Sequence, residues 1–338
     1  MAKRIGKYTI QMEHLPCVES FASVCGKKEA EGPLAKYFDH IFKDTTLGES
    51  SWEKAESKLQ AKAVELALKK SNLESSDIDF IFAGDLLNQC ISSTFGLKNL
   101  NVQFLGQYGA CSTMAQTLIL ASLMVETNIA KKCIAVTSSH FCSAERQFRF
   151  PLEYGGQRTP TAQWTVTGSG AIVVGNSGQS PFISSVTVGK IIDLGIKDAN
   201  NMGAAMAPAA ADTIKNFLVD TNTFPDDYDL ILTGDLGEIG SNLLKELLIK
   251  EKVDIKNNHS DCGLLIYNQK EQDVHAGGSG CGCSASVLCS VILNRLKKGE
   301  LKNVLFVATG ALMSPTSTQQ GESIPSIAHL VNLKSNIQ

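Results

Sequence analysis

The sequence predicts an α/β protein in five layers (helix, sheet, paired helices, sheet, helix) built from two duplicated halves. Three observations carry this expectation. First, "DIDFIFAGDLLNQ" (77–89) is answered by "DYDLILTGDLGEI" (227–239), an apolar strand running into Gly-Asp-Leu, with Asp85 matched to Asp235 at an offset of 235 − 85 = 150. Second, "GACSTMAQTLILASLMVETNIAKKCIAVTSS" is answered by "CGCSASVLCSVILNRLKKGELKNVLFVATGA", matching Cys111 to Cys283 (283 − 111 = 172) and Thr137 to Thr309 (309 − 137 = 172). That match runs ungapped for about 30 residues, and a period this long marks a duplicated domain, not a solenoid. Third, apolar strands such as "FIFAG" and "CIAVTSS" alternate with helical patterns, which predicts a mainly parallel sheet covered by helices in each half. We place the halves at 1–178 and 179–338.

Taken in order, the first long helix follows Ser50. A capping box of Ser50 and Glu53 opens it, and Leu59, Ala63, Leu66 and Ala67 fall on one face, as in an amphipathic outer helix. The helix that begins at Cys111 is different, because Met114, Leu118, Ile119, Leu120, Leu123, Met124 and Val125 surround it. A helix apolar on all sides is buried, here between two sheets. Its counterpart, Ser284 to Leu296, stays apolar as far as Asn294. "TVTGSGAIVV" reads as the strand closing the first half, with Gly168 and Gly170 as turn residues and not a phosphate loop.

Composition excludes several functions. With 31 basic against 34 acidic residues and no dense Lys/Arg block, the chain has no phosphate-backbone footprint, so nucleic acid is not an expected partner. The N-terminus lacks the apolar core of a signal peptide, and the most apolar window, Met114 to Val125, is too short to span a membrane, so we expect a soluble chain. Ten cysteines are irregularly spaced, several inside apolar stretches ("KKCIAV", "SVLCSVIL"). They read as reduced, packed thiols and not as a disulfide framework. "CGC" at Cys281 to Cys283 has no second pair beside it and is a weak metal signal, so no metal or cofactor is expected.

On these halves, with a cysteine opening the first buried helix, the sequence resembles the thiolase and ketoacyl-synthase superfamily. The strings "AGDLLNQ", "GACST", "TSSH", "AERQFR", "EYGGQ", "TVTGSGA", "MAPAAADTIK", "DDYDLILTGDL", "DCGLLIY" and "AGGSGC" resemble more narrowly a sporulation branch of that superfamily in endospore-forming bacteria. The resemblance implies a thiolase-like αβαβα fold. It also implies binding of dipicolinic acid (pyridine-2,6-dicarboxylate, free or as its calcium chelate) for uptake into the developing spore, and membrane proteins of the same transport system as partners. A homodimer formed by abutting first-half sheets, on the cytoplasmic face and peripherally associated with the inner spore membrane, is implied as well.

Condensing enzymes of the superfamily pair the cysteine with a His from the second half's first strand end and a His or Asn before its buried helix. In this chain those positions fall on Gly234 and Cys281, so both partners are missing. Of the six histidines, His140 follows a strand end in the half that carries Cys111, and His275 precedes the 281 loop; each is a substitute base or an ordinary loop histidine. Cys111 itself has three readings: a thiol activated by a helix N-terminus, a small residue kept where a buried helix start has little room, or part of a donor set with Ser112 and Thr113 for a carboxylate.

A planar dianion needs cations and donors around an apolar slot. Arg146, Arg149 and Arg158 lie after the strand ending at Ser138 and Ser139, and each suits either a ligand carboxylate or a local pair such as Glu145. Lys190 is a weaker candidate. Asp85 and Asp235 sit after symmetric strands, as loop-bonding acids or as pocket groups. The candidate ligand set is therefore Cys111, Ser112, Asp85, Asn88, Ser139, His140, Arg146, Arg149 and Cys281, with no catalytic residue. The leading expectation is a non-catalytic binding protein; the alternatives are a Cys111-dependent acyltransferase and an architectural subunit of a membrane transport complex.

Overall fold

The computed structural model describes residues 2–148 and 158–336. Strands 17–25, 80–84, 103–107, 133–139 and 168–175 form one half-sheet, in spatial order 103–107, 80–84, 133–139, 168–175, 17–25. Strands 182–187, 230–233, 259–261, 303–311 and 326–334 form the other, in order 259–261, 230–233, 303–311, 326–334, 182–187. In both, the order by sequence is third, second, fourth, fifth, first, so the repeat is a repeat of topology. The halves join edge to edge where Phe182 pairs with Cys17. The sheets are mixed and not mainly parallel. Strands 80–84, 103–107 and 133–139 are parallel, while 168–175 runs antiparallel to both of its neighbours. The connections into the parallel strands 133–139 and 303–311 carry the buried helices, whereas the fifth strand of each half returns antiparallel beside the fourth, a pairing that needs no crossover helix.

The helix Trp52–Ser71 packs Leu59, Ala63, Val64 and Ala67 against Ile81, Ile134 and Val173 on the outer face of the first sheet. Its cap is Ser51, one residue later than the sequence pattern indicates; the side chain accepts from the Lys54 amide, and Ser50 instead receives the Lys54 ammonium. Helices Met202–Thr221 and Gly237–Lys250 cover the outer face of the second sheet. Between the sheets lie Thr113–Glu126 and the run that starts at Cys281, which takes one π turn over Leu288–Ile292 before ending at Lys297. Met114, Leu118, Leu288 and Ile292 interlock there with Phe82, Ile172, Phe306 and Val331 from the two sheets. Each such buried side chain contributes about 1.5–3 kcal/mol of transfer free energy, and this central layer fixes where the helix starts meet. Among the described residues, no helix is long and apolar enough to cross a membrane.

A candidate ligand pocket at Cys111

Parallel strands deliver their C-terminal ends to one edge of a sheet, and crevices there bind ligands in open α/β folds. Here the loops after 80–84, 103–107, 133–139 and 303–311 converge on a cavity of about 260 Å³. Cys111 lines it from a single 3-10 turn, Ala110–Ser112, and the α-helix begins only at Thr113. Ala110 is held at φ +51, a left-handed conformation that costs a non-glycine residue energy and turns the chain sharply into the pocket. Leu86, Ala144, Phe148, Leu312 and Met313 make apolar walls. Tyr108, Thr165, Ser279 and Ser314 add hydroxyls, and Glu145 adds a carboxylate that pairs with Arg158 at 3.3 Å.

Behind the thiol stands Asp235, fully buried. Its Oδ2 accepts from Ser279 Oγ (3.0 Å) and the Gly280 amide (2.8 Å), and its Oδ1 accepts from Thr309 Oγ1 (2.9 Å). Gly280 reaches it with φ +106, where an added Cβ would also lie 2.7 Å from Ser139 Oγ. The Cys111 thiol faces the same carboxyl, close enough that each group shifts the other's protonation. Burial first, then the negative charge of Asp235, pushes the Cys111 thiol well above its ordinary value. The thiol therefore stays protonated, a poor nucleophile.

The structure distributes the sequence-predicted residues differently. Ser112 Oγ donates to Gly109 O (2.7 Å), the Ser112 amide donates to the same oxygen, and Thr113 Oγ1 donates to Ala110 O, so this helix start spends its donors on its own turn. Asp85 is buried and accepts from the amides of Leu87 and Ser93 and from Ser93 Oγ; it ties down its own loop, away from the cavity. Ser139 Oγ donates to Val166 O and accepts from the Gly282 amide. His140 sits 2.8 Å from Thr45 O through Nε2 while Nδ1 accepts from the Cys142 amide; burial lowers its pKa, so it is a neutral structural imidazole. Cys281 packs with Cys111, Leu86 and Ala144 beneath the cavity, its Sγ 3.0 Å from Ser138 O. His275 faces Asp273 at 3.6 Å, and Lys190 pairs with Asp212 at 3.0 Å. Asn88 and Arg146 line a second, more open cavity of about 550 Å³ between the outer helix start and Phe141–Phe148, where Arg146 pairs with Glu53 over the Trp52 ring. Arg149 lies outside the described residues.

Sequence reasoning missed the wall residues 311–314, and it named Asp235 as a possible pocket group without placing it in the ligand set. The repeat held a signal for both: at the offset of 172, Ala311 corresponds to Ser139 (311 − 139 = 172), and at the offset of 150, Asp235 corresponds to Asp85 (235 − 85 = 150).

A second buried acid supports the wall. Glu56, on the outer helix, accepts from Ser138 Oγ (3.1 Å) and Ser143 Oγ (2.6 Å), and burial, then the nearby Asp85 charge, pushes it up to about 8. Asp85 holds two backbone amides and takes the charge; Glu56, with hydroxyl partners only, holds the proton. Between about pH 4.5 and 8 the folded state thus binds more protons than the unfolded one, so Glu56 makes stability fall as pH rises through that window and adds no slope above it. Glu56→Gln is expected to flatten this part of the profile and to melt above wild type at pH 8; thermal unfolding from pH 5 to 9 checks it, and an unchanged slope would contradict it.

The chain matches the family described as stage V sporulation protein AD over residues 6–334. It is 50% identical over 327 residues to stage V sporulation protein AD of Bacillus subtilis (strain 168), covering 97% of this chain and 96% of that one. Among solved structures it is similar to 3-oxoacyl-[acyl-carrier-protein] synthase III from Aquifex aeolicus VF5, with a TM-score of 0.58 at 14% identity over 94% of this chain and 99% of the other. Cerulenin-bound OleA of Xanthomonas is similar at a TM-score of 0.61 and 13% identity, over 96% and 97% of the two chains. At such identities these likenesses establish the thiolase-like fold alone, whereas the match along nearly the whole chain establishes the family: this chain belongs to the stage V sporulation protein AD family.

Proposed function

We propose that this sporulation protein binds dipicolinate, free or as its calcium chelate, in the Cys111 cavity and serves its uptake into the developing spore without catalysing a reaction. The observation that carries the non-catalytic reading is the Cys111–Asp235 contact: Gly234 and Cys281 stand where condensing enzymes carry their His or Asn partners, and burial together with the neighbouring Asp235 carboxyl holds the thiol protonated. A cavity of about 260 Å³ lies just under the ~300–1,000 Å³ of drug-sized sites and suits one small ring between Leu86, Phe148 and Leu312. Its carboxylates would lie at the mouth beside Tyr108, whose hydroxyl donates to Asn88 Oδ1, and Ser314, whose hydroxyl caps Pro315–Gln319. Titration calorimetry of dipicolinate, with and without calcium, tests the reading: saturable 1:1 heat supports it, and no heat in either case favours a purely architectural subunit.

One further feature fits an assembly with a second copy. The strand Gln103–Gln107 ends its sheet and exposes Phe104 and Leu105 beside unpaired backbone, the kind of edge that pairs with another strand. We infer a homodimer joined there, peripherally attached to the spore membrane through its partners.

A further inference from the structure

We propose that Asp235 is a specificity residue whose carboxyl closes the cavity floor to anions, so that an aromatic diacid enters with its carboxylates toward the mouth and its ring edge toward Cys111. This rests on the dipicolinate reading and adds an orientation to it. The strong donors near the floor are already committed: the Ser112 amide and hydroxyl to Gly109 O, and Ser279 Oγ, the Gly280 amide and Thr309 Oγ1 to Asp235 itself. What remains there for a ligand is the Cys111 sulfur, a weak donor already facing a carboxyl, and the Thr165 hydroxyl beside Ser279.

A second acid backs the floor. Asp261 lies behind Asp235, where it accepts from Thr233 Oγ1 (2.6 Å) and from the amides of Leu236, Gly237 and Gly263, so these donors too are committed. Every hydrogen-bond partner of the two side chains is neutral, and Glu145 on the wall adds a further carboxylate, balanced by Arg158. A ligand carboxylate pushed to the floor would give up its water to meet acids across a thiol, with a single hydroxyl, that of Thr165, in return. At the mouth, Tyr108 is 53% exposed and Ser314 half-buried, so carboxylates there keep part of their hydration. The ring position opposite the nitrogen then points at Cys111.

The test uses two derivatives of pyridine-2,6-dicarboxylate carrying at that position either a carboxylate or the equally large, neutral carboxamide. In titrations of the intact protein the carboxamide is expected to bind at least about 10-fold tighter, and in Asp235→Asn the ratio is expected to fall to about 3-fold or less. Equal affinities in wild type, or exclusion of both derivatives alike, would overturn the inference while leaving dipicolinate binding intact. Absence of dipicolinate binding itself would remove the underlying reading instead. Because the wild-type ratio stands without the variant, a poorly folded Asp235→Asn does not rescue the idea.

Discussion

Replacing Leu312 by tryptophan is expected to weaken dipicolinate binding by about 100-fold or more, a loss of ~2.8 kcal/mol, with little change in melting temperature. Leu312 is half-buried and stands on the cavity wall after the strand Asn303–Ala311. Its backbone is held by the Leu312 amide bonding Pro325 O at 2.7 Å, so the loop stays in place while the side chain changes. An indole projecting from this position takes up space in a cavity of only about 260 Å³ and leaves the central core untouched. Calorimetry beside thermal unfolding checks both halves of this expectation. Retained affinity in a folded variant would move the ligand to another site, the larger cavity beside Arg146 being the first to examine.

Gly282→Ala is the opposite kind of change, severe for stability. A Cβ at Gly282 would lie 2.3 Å from Gly168 O, 2.5 Å from Ser139 Oγ and 2.7 Å from the Ser139 amide, and two of these are backbone atoms of interior strands that cannot swing away. The second buried helix starts here, one residue after Cys281, so relief requires shifting that helix against the first sheet. Overpacking of this sort costs about 1–3 kcal/mol and sometimes more, and a drop in melting temperature of roughly 2–8 °C is expected for a chain of this size. A variant melting within a degree or two of wild type would show that the contact between the helix start and Ser139 is looser than described.

The same glycine shows how far the sequence could be read. Duplicated strings placed both buried helices and both strand-end aspartates, because a repeat preserves topology and the hydrophobic pattern follows burial. They could not say that the two aspartates do different work. Asp85 is captured by Ser93 and by the Leu87 amide of its own loop, whereas Asp235 receives Ser279, Gly280 and Thr309 from two distant segments and so reaches Cys111. That divergence depends on which neighbour supplies a donor, and donors brought in across 44 or more residues leave no local spacing to read. Arg146 illustrates the same limit. Its charge and position after the first-half strand suited a ligand carboxylate, yet on an eight-residue helix it turns to Glu53 and Trp52 at the outer helix start. Helical periodicity alone does not fix which side of so short a helix faces the cavity. Gly234 and Cys281, in contrast, could be read directly from the sequence, and the structure adds the buried Asp235 carboxyl beside the thiol.

The most direct measurement is thioester chemistry on the pure protein, followed as free thiol released from an acyl-CoA together with the intact protein mass. A protonated Cys111 facing Asp235 predicts no acyl adduct and no release beyond the background seen with Cys111→Ala. Repeated turnover, or a stable adduct that disappears in Cys111→Ala, would contradict the account.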